Sequence, residues 1–271
     1  MLAAIFVLAS TLGSEKQGTY YAALALFGVV YLLGSFGFAT ATVSRVAACY
    51  ASNDSGGVTL WLGRLSRTWL LLGIAILPIG FLLLPWIAGF GLGGETVSAL
   101  TIWLCLTPIL ELPRTIVRAG LEGGRRMLSV LILDGGLELL RALLVCGAVI
   151  YEPTAVSAVQ GHVFATAIGL IIYGQARKRE DRVLLPSIVE IARATRTTSV
   201  SGHARLGIEL GLSRFSRGLL LEFAPPLLLL HFASASWVTY YRITHRLLGL
   251  PFLVTQSVSR VSLPALSQLS A

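Results

Sequence analysis

Residues 127–150 read MLSVLILDGGLELLRALLVCGAVI. As a helix this stretch rises about 36 Å at roughly 1.5 Å per residue, more than the roughly 30 Å of a bilayer's hydrocarbon core. Its only charged residues are Asp134, Glu138 and Arg141. They stand at i, i+4 and i+7, so all three share one helical face. Charge at mid-bilayer costs at least about 2.5–3.5 kcal/mol per residue and persists only where it pairs, meets water or binds something. The segment therefore reads as a membrane span with a charged stripe turned away from lipid. The i,i+3 spacing of Glu138 and Arg141 permits a salt bridge within the helix.

Seven more apolar segments surround it, at about 1–12, 19–42, 68–90, 97–117, 154–176, 206–231 and 236–258. The first is too short to cross alone. It lacks the basic start of a signal peptide and reads as a span that has lost its beginning. The whole chain has 271 residues, 55% hydrophobic and 13% charged, with a mean hydropathy of +0.79. A soluble domain carries about 25% charged residues. That deficit excludes a soluble enzyme, a disordered chain and a secreted disulfide scaffold. The expected fold is an all-α integral membrane protein of about eight transmembrane helices.

Cations between the segments set an orientation. Arg45, Arg64 and Arg67 follow the second segment; Arg114, Arg118, Arg125 and Arg126 follow the fourth. Arg177, Lys178, Arg179, Arg182, Arg193, Arg196 and Arg205 follow the sixth, whereas the alternate loops hold only Lys16. The first set of loops, and with it the N-terminal end, is expected in the cytoplasm. The net charge of +8 is thus a topological signal rather than a nucleic-acid footprint, because the cations punctuate apolar runs instead of lining a polar face.

The sixth-to-seventh connection contains PSIVEIARATR at 186–196. Ser187 and Glu190 form a capping-box pattern, Ile188, Ile191 and Ala192 form an apolar stripe, and Arg193 and Arg196 lie near the C-terminal end, suited to anionic lipid heads. This amphipathic helix reads as a linker. It divides the chain into a six-helix bundle at 1–176, a basic cytoplasmic linker at 177–205, and the first two helices of a second bundle at 206–271. A short internal echo agrees: Thr19-Tyr20-Tyr21 opens the second segment and Thr239-Tyr240-Tyr241 the eighth, while Val43-Ser44-Arg45 and Val258-Ser259-Arg260 close them.

Further buried charge is expected in the last two segments. Glu209, Arg214, Arg217 and Glu222 lie in the seventh; Arg242, His245 and Arg246 share a face of the eighth. Four arginines there against two carboxylates favour an anionic ligand, since guanidinium forks match phosphate. A phosphate or pyrophosphate buried between these helices would be held by such forks. Asp134 and Glu138 are candidates for ion coupling or for salt bridges. Pro225 and Pro226, deep in the seventh segment, are hinge candidates. Cys49, Cys105 and Cys146 stand apart, no HExxH is present, and the glycine run at 89–94 has no βαβ context, so no metal, cofactor or catalytic residue is expected.

Three stretches resemble a known family: LGSEKQGTYYAALALFGVVYLLGSFGFATATVSRVAA at 12–48, RAGLEGGRRM at 118–127 and TYYRITHRLLGLPFLVTQSVSRVSLPALSQL at 239–269. The first carries a Leu12-Gly13, Gly18, Tyr20 turn pattern, then Gly34, Gly37 and Arg45. Together they are similar to the bacterial polysaccharide flippases of the multidrug/oligosaccharidyl-lipid/polysaccharide exporter superfamily. The resemblance implies two six-helix bundles in the bacterial inner membrane and a cationic central cavity, for which Arg141, Arg214, Arg217, Arg242 and Arg246 are the candidate substrate-binding residues. It also implies transport of undecaprenyl-pyrophosphate-linked oligosaccharide to the outer leaflet for surface polysaccharide such as lipopolysaccharide. Membrane lipids, and glycosyltransferases or a polymerase of the same pathway, are the implied partners. By the family pattern about four spans are missing after the eighth. Two other readings stay open at this point: a cation-coupled multidrug exporter of the same superfamily, needing Asp134 or Glu138, and a non-transporting membrane subunit or scaffold.

Overall fold

The computed structural model describes residues 2–35, 37–89, 94–179, 185–199 and 218–249, with isolated positions at 207, 211–212 and 216. Among the described residues the fold is all-helical. The helices are α1 (Leu2–Ser35), α2 (Phe38–Ala51), α3 (Ser55–Gly89), α4 (Gly94–Leu104), α5 (Thr107–Leu110), α6 (Leu112–Gly123), α7 (Met127–Tyr151), α8 (Ala155–Arg179) and α9 (Ile188–Thr197). A π-helical turn at Gly218–Phe223 leads into α10 (Ala224–Phe232), and α11 follows at 235–249.

Packing follows an inside-out polarity. On α7, Leu128, Ile132, Leu139 and Leu143 are each more than 60% exposed, while Val130, Leu137, Val145 and Val149 are buried on the face that also carries Asp134, Glu138 and Arg141. A water-soluble helix does the reverse. With lipid as solvent this arrangement needs no compensation, because apolar side chains lose nothing by facing hydrocarbon. Helix α8 is long and apolar enough to cross a membrane by itself, over Ala155–Arg177. The segment expected as one straight span at 97–117 is instead α4, α5 and α6 in series. The stretches Ala99–Leu110 and Leu112–Gly123 meet the length and hydropathy requirement together but bend by 45°. Pro108 and Pro113 sit in the first turns of α5 and α6, where a missing N–H costs nothing, so the chain breaks at both.

Other boundaries also differ from the hydropathy reading. The first two segments are the two helical arms of α1, which meet at Gly13 (φ 74°, ψ 165°), a backbone region open essentially to glycine alone; the chain doubles back there, since Gln17 Nε2 donates to the Ile5 carbonyl at 3.3 Å. Helix α3 begins at Ser55, well before residue 68, with the Asp54 carboxylate accepting the Gly57 N–H at 2.8 Å. That start carries Arg64 and Arg67 on helix rather than loop.

The linker helix α9 forms with its capping box complete: the Glu190 N–H donates to Ser187 Oγ (3.1 Å) and the Ser187 N–H to Glu190 Oε2 (2.5 Å). Its expected apolar stripe is split, however. Ile191 is buried in a cluster with Val58, Leu62 and Leu65 of α3, while Ile188, Val189 and Ala192 are exposed. Tertiary packing chose the Ile191–Ala194–Thr195 side, and Arg67 donates to the Thr198 carbonyl beyond it.

Helix α11 returns to α1. Ser14 Oγ donates to Ser236 Oγ (3.1 Å), and Thr239 Oγ1 donates to the Ser14 carbonyl (2.7 Å). Between them the backbones nearly touch: a Cβ on Gly18 would lie 1.7 Å from the Ala235 carbonyl oxygen. Backbone cannot yield as a side-chain tip does, so Gly18→Ala should cost about 1–3 kcal/mol. Thermal unfolding in detergent checks this; a midpoint equal to that of the wild type would mean that α11 does not seat on α1 in this way.

Candidate functional site

The charges expected on α7 meet partners that composition alone does not announce. Asp134 accepts from Tyr173 Oη (2.6 Å), Arg114 Nε (3.1 Å) and Arg118, whose Nη1 lies 3.3 Å from Oδ2. Arg118 also reaches Glu122 at 2.8 Å. Two turns further along α7, Arg141 donates to Glu138 (2.7 Å), to Glu111 (3.1 Å) and to Thr166 Oγ1 (3.4 Å). Glu111 sits at the bend between α5 and α6 and also binds Arg114 (3.3 Å), which lies 3.9 Å from Glu138. Three arginines and four carboxylates thus form one mostly buried lattice joining α6, α7 and α8.

Arg114 and Arg118 are the correction to the sequence reading, which placed them in a loop after the fourth segment. The proline breaks at 108 and 113 turn that stretch into α6 and aim both side chains at Asp134. The signal in the sequence was the Glu111–Arg114 and Arg118–Glu122 spacing, i,i+3 and i,i+4, which a loop reading discards.

Beside this lattice lies a cavity of about 310 Å³. Its polar lining comes from Tyr20 and Tyr21 of α1, Glu138 and Arg141 of α7, His162 of α8, Glu222 of the π-helical turn, and Arg242 and Arg246 of α11. Ile5, Leu8, Ala142 and Val145 supply apolar wall. Gln17 Nε2 holds Tyr21 Oη (3.2 Å), and Thr166, which Arg141 contacts, is itself bonded to the His162 carbonyl (3.0 Å). The Nε atoms of Arg141 and Arg242 are both buried without a hydrogen-bond partner among the described residues. A buried, unpaired N–H on a guanidinium is costly.

The sequence candidates therefore divide. Arg141, Arg242 and Arg246 come together around one cavity although a hundred residues separate the first from the others. Glu138 lines it as well, bonded to Arg141. Asp134 does not line it and is held within the lattice. Arg214, Arg217 and Glu209 lie outside the described residues. Pro225 and Pro226 flank the cavity's Glu222 at the start of α10. Tyr20, Tyr21 and His162 enter as cavity residues by position alone, and Glu222, expected as buried charge in the seventh segment, lines the cavity too. His245, placed with Arg242 and Arg246 from the sequence, stacks on Tyr241 (5.6 Å between rings) rather than lining the cavity. Among the described residues no His, Cys, Asp and Glu cluster has the makings of a metal site.

A family described as "Polysaccharide biosynthesis protein" matches the chain over residues 2–270. Among solved structures the chain is similar, at a TM-score of 0.63 and 19% identity, to one titled an inward-facing conformation of a multidrug resistance MATE family transporter of the MOP superfamily. The alignment covers 97% of this chain and 64% of that one, so the chain spans less than two thirds of that transporter's length. At that identity the likeness concerns the fold. A search of curated proteins gave no match.

Proposed function

We propose, starting from the fact that this chain belongs to the polysaccharide biosynthesis protein family, that it is a membrane transporter of lipid-linked oligosaccharide. In this reading it moves an undecaprenyl-pyrophosphate-linked glycan from the cytoplasmic to the outer leaflet of a bacterial inner membrane, with its N-terminal end in the cytoplasm. The observation that carries the proposal is the convergence of the guanidinium donors of Arg141, Arg242 and Arg246 on one cavity. Pyrophosphate supplies acceptors for such donors, and the apolar wall of Ile5, Leu8 and Val145 suits the first units of a polyprenyl chain.

Residues 1–176 form the first bundle in this scheme, 177–205 the linker, and 206–271 the beginning of a second bundle that rocks against the first. Pro225 and Pro226 stand where such rocking needs a bend. The alternative of a cation-coupled multidrug exporter requires a carboxylate open to a cation. Asp134 and Glu138 are instead engaged by Arg114, Arg118 and Arg141, which weighs against it. A scaffold has no use for a charged cavity at all.

The test is to deplete the protein and follow the lipid-linked glycan. Retention of labelled glycan in the cytoplasmic leaflet, with loss of surface polysaccharide, is the expected outcome. Unchanged surface polysaccharide would sink the proposal, and a change in drug resistance alone would favour the exporter.

A further inference from the structure

Leu221 has an unusual backbone predicament. In an α-helix its carbonyl would accept from the N–H of residue 225, and in a π-helix from that of residue 226. Both are prolines and neither has an N–H. The chain around Leu221 is π-helical, from Gly218 to Phe223, and turns α-helical at Ala224. An orphaned carbonyl inside a bilayer costs several kcal/mol unless another group reaches it. Here that group is a side chain from another helix: Tyr241 Oη donates to the Leu221 carbonyl at 2.8 Å.

The residue after this carbonyl is Glu222, which lines the same cavity as Arg242, the residue after Tyr241. Phe223 follows, its ring occupying the place where a Gly28 side chain would be on α1. The π turn is thus held at its carbonyl by α11 and at its aromatic ring by α1, with the acidic side chain between the two anchors.

We infer that Tyr241 is a positioning residue of the cavity, whose hydroxyl replaces the amide donors missing at Pro225 and Pro226 and so fixes the π turn that presents Glu222 beside Arg242. The inference rests on the cavity being the substrate site. Its mechanical half stands independently of what the cavity binds. When Tyr241 releases Leu221, the π turn is free to re-pair, and a π-to-α change shifts the phase of the helix and carries Glu222 away from the arginines. The local charge of the cavity then rises by the removal of one carboxylate.

The decisive experiment compares Tyr241→Phe in two backgrounds, the wild-type chain and Pro225→Ala/Pro226→Ala, which returns both backbone donors. Two readouts are taken on the full chain in nanodiscs. Hydrogen exchange of a peptide covering 218–224 reports the turn, and binding of inorganic pyrophosphate reports the cavity. Tyr241→Phe alone should speed exchange in that peptide and change pyrophosphate affinity roughly threefold to tenfold, the span expected for one interhelical hydrogen bond in lipid. In the double-alanine background the same substitution should change neither.

Equal exchange in wild type and Tyr241→Phe overturns the inference, as does an equal effect in both backgrounds, which would mark the tyrosine as ordinary packing. Faster exchange with unchanged pyrophosphate affinity overturns the positioning of Glu222. If the wild-type chain binds no pyrophosphate, the proposed substrate fails, and the exchange comparison still decides whether Tyr241 holds the turn.

Discussion

Asp134→Ala should be among the most destabilising single substitutions in the first bundle. The change removes the common acceptor of Tyr173, Arg114 and Arg118, so that the Tyr173 hydroxyl and one N–H of each guanidinium lose their acceptor between helices, although Glu111 and Glu122 still pair with the two arginines. Leaving a largely buried donor without its acceptor costs about 1–3 kcal/mol, a large share of the roughly 5–15 kcal/mol by which whole proteins are stable. Purified material should show sharply reduced yield and a thermal midpoint lowered by many degrees. Asp134→Asn, which keeps the shape and part of the hydrogen bonding, should fall between. Leu139→Ala, on the lipid-facing side of the same helix, provides the reference and should be close to neutral. A midpoint for Asp134→Ala near that of Leu139→Ala would show that the lattice is dispensable for stability.

The second large effect concerns the cavity and has two opposite signs. Arg242→Gln removes a cation from the cavity lining. Hydrogen bonds to charged groups contribute about 1.5–3 kcal/mol, so affinity for a pyrophosphate-bearing lipid should fall by about 10- to 100-fold, with Arg242→Lys recovering part of it. Glu222→Gln removes a carboxylate from the same lining and should raise affinity severalfold. Equilibrium binding to reconstituted protein measures both. If the two substitutions move affinity in the same direction, charge is not what the cavity reads, and a ligand other than an anion has to be considered.

Much of the fold was legible because lipid imposes a coarse rule, long apolar runs, that survives without tertiary knowledge. Helices α7 and α8 lie within a few residues of their hydropathic segments, and the capping box at Ser187 and Glu190 announced the start of α9. The failures have specific causes. Pro108 and Pro113 broke a segment whose hydropathy is continuous, because an averaged apolar score does not register a missing N–H. Gly13 makes the turn between the first two segments in a single residue, tighter than the connection the hydropathy minimum suggests. The split of the α9 stripe was invisible because only the position of α3 decides which side of a short amphipathic helix is covered.

The site divides in the same way. Arg141, Arg242 and Arg246 were found because charge inside apolar sequence is conspicuous. Glu111, Arg114 and Arg118 were missed because they stand at a segment's end, where charge is ordinary, and only the bend at Glu111 brings them inward. Tyr20, Tyr21 and His162 carry no such signal, since amphipathic side chains are common in spans and reveal a role only through their neighbours.

The lattice of Glu111, Arg114, Asp134, Glu138, Arg141 and Tyr173 has one more consequence. In water a helix that turns about its own axis exposes its oily side and is driven back. In hydrocarbon every apolar azimuth is equally comfortable, so α7 has little reason of its own to keep Leu139 outside and Leu137 inside. The guanidinium–carboxylate contacts supply that reason. They act as the teeth of a key, admitting one angular setting of α6 against α7 and α8 and one depth of insertion. A change that swapped the whole lattice for well-packed leucines would then leave the helices in place and content, yet free to settle at several angles, and the cavity beside them would lose its single shape before the protein lost its fold.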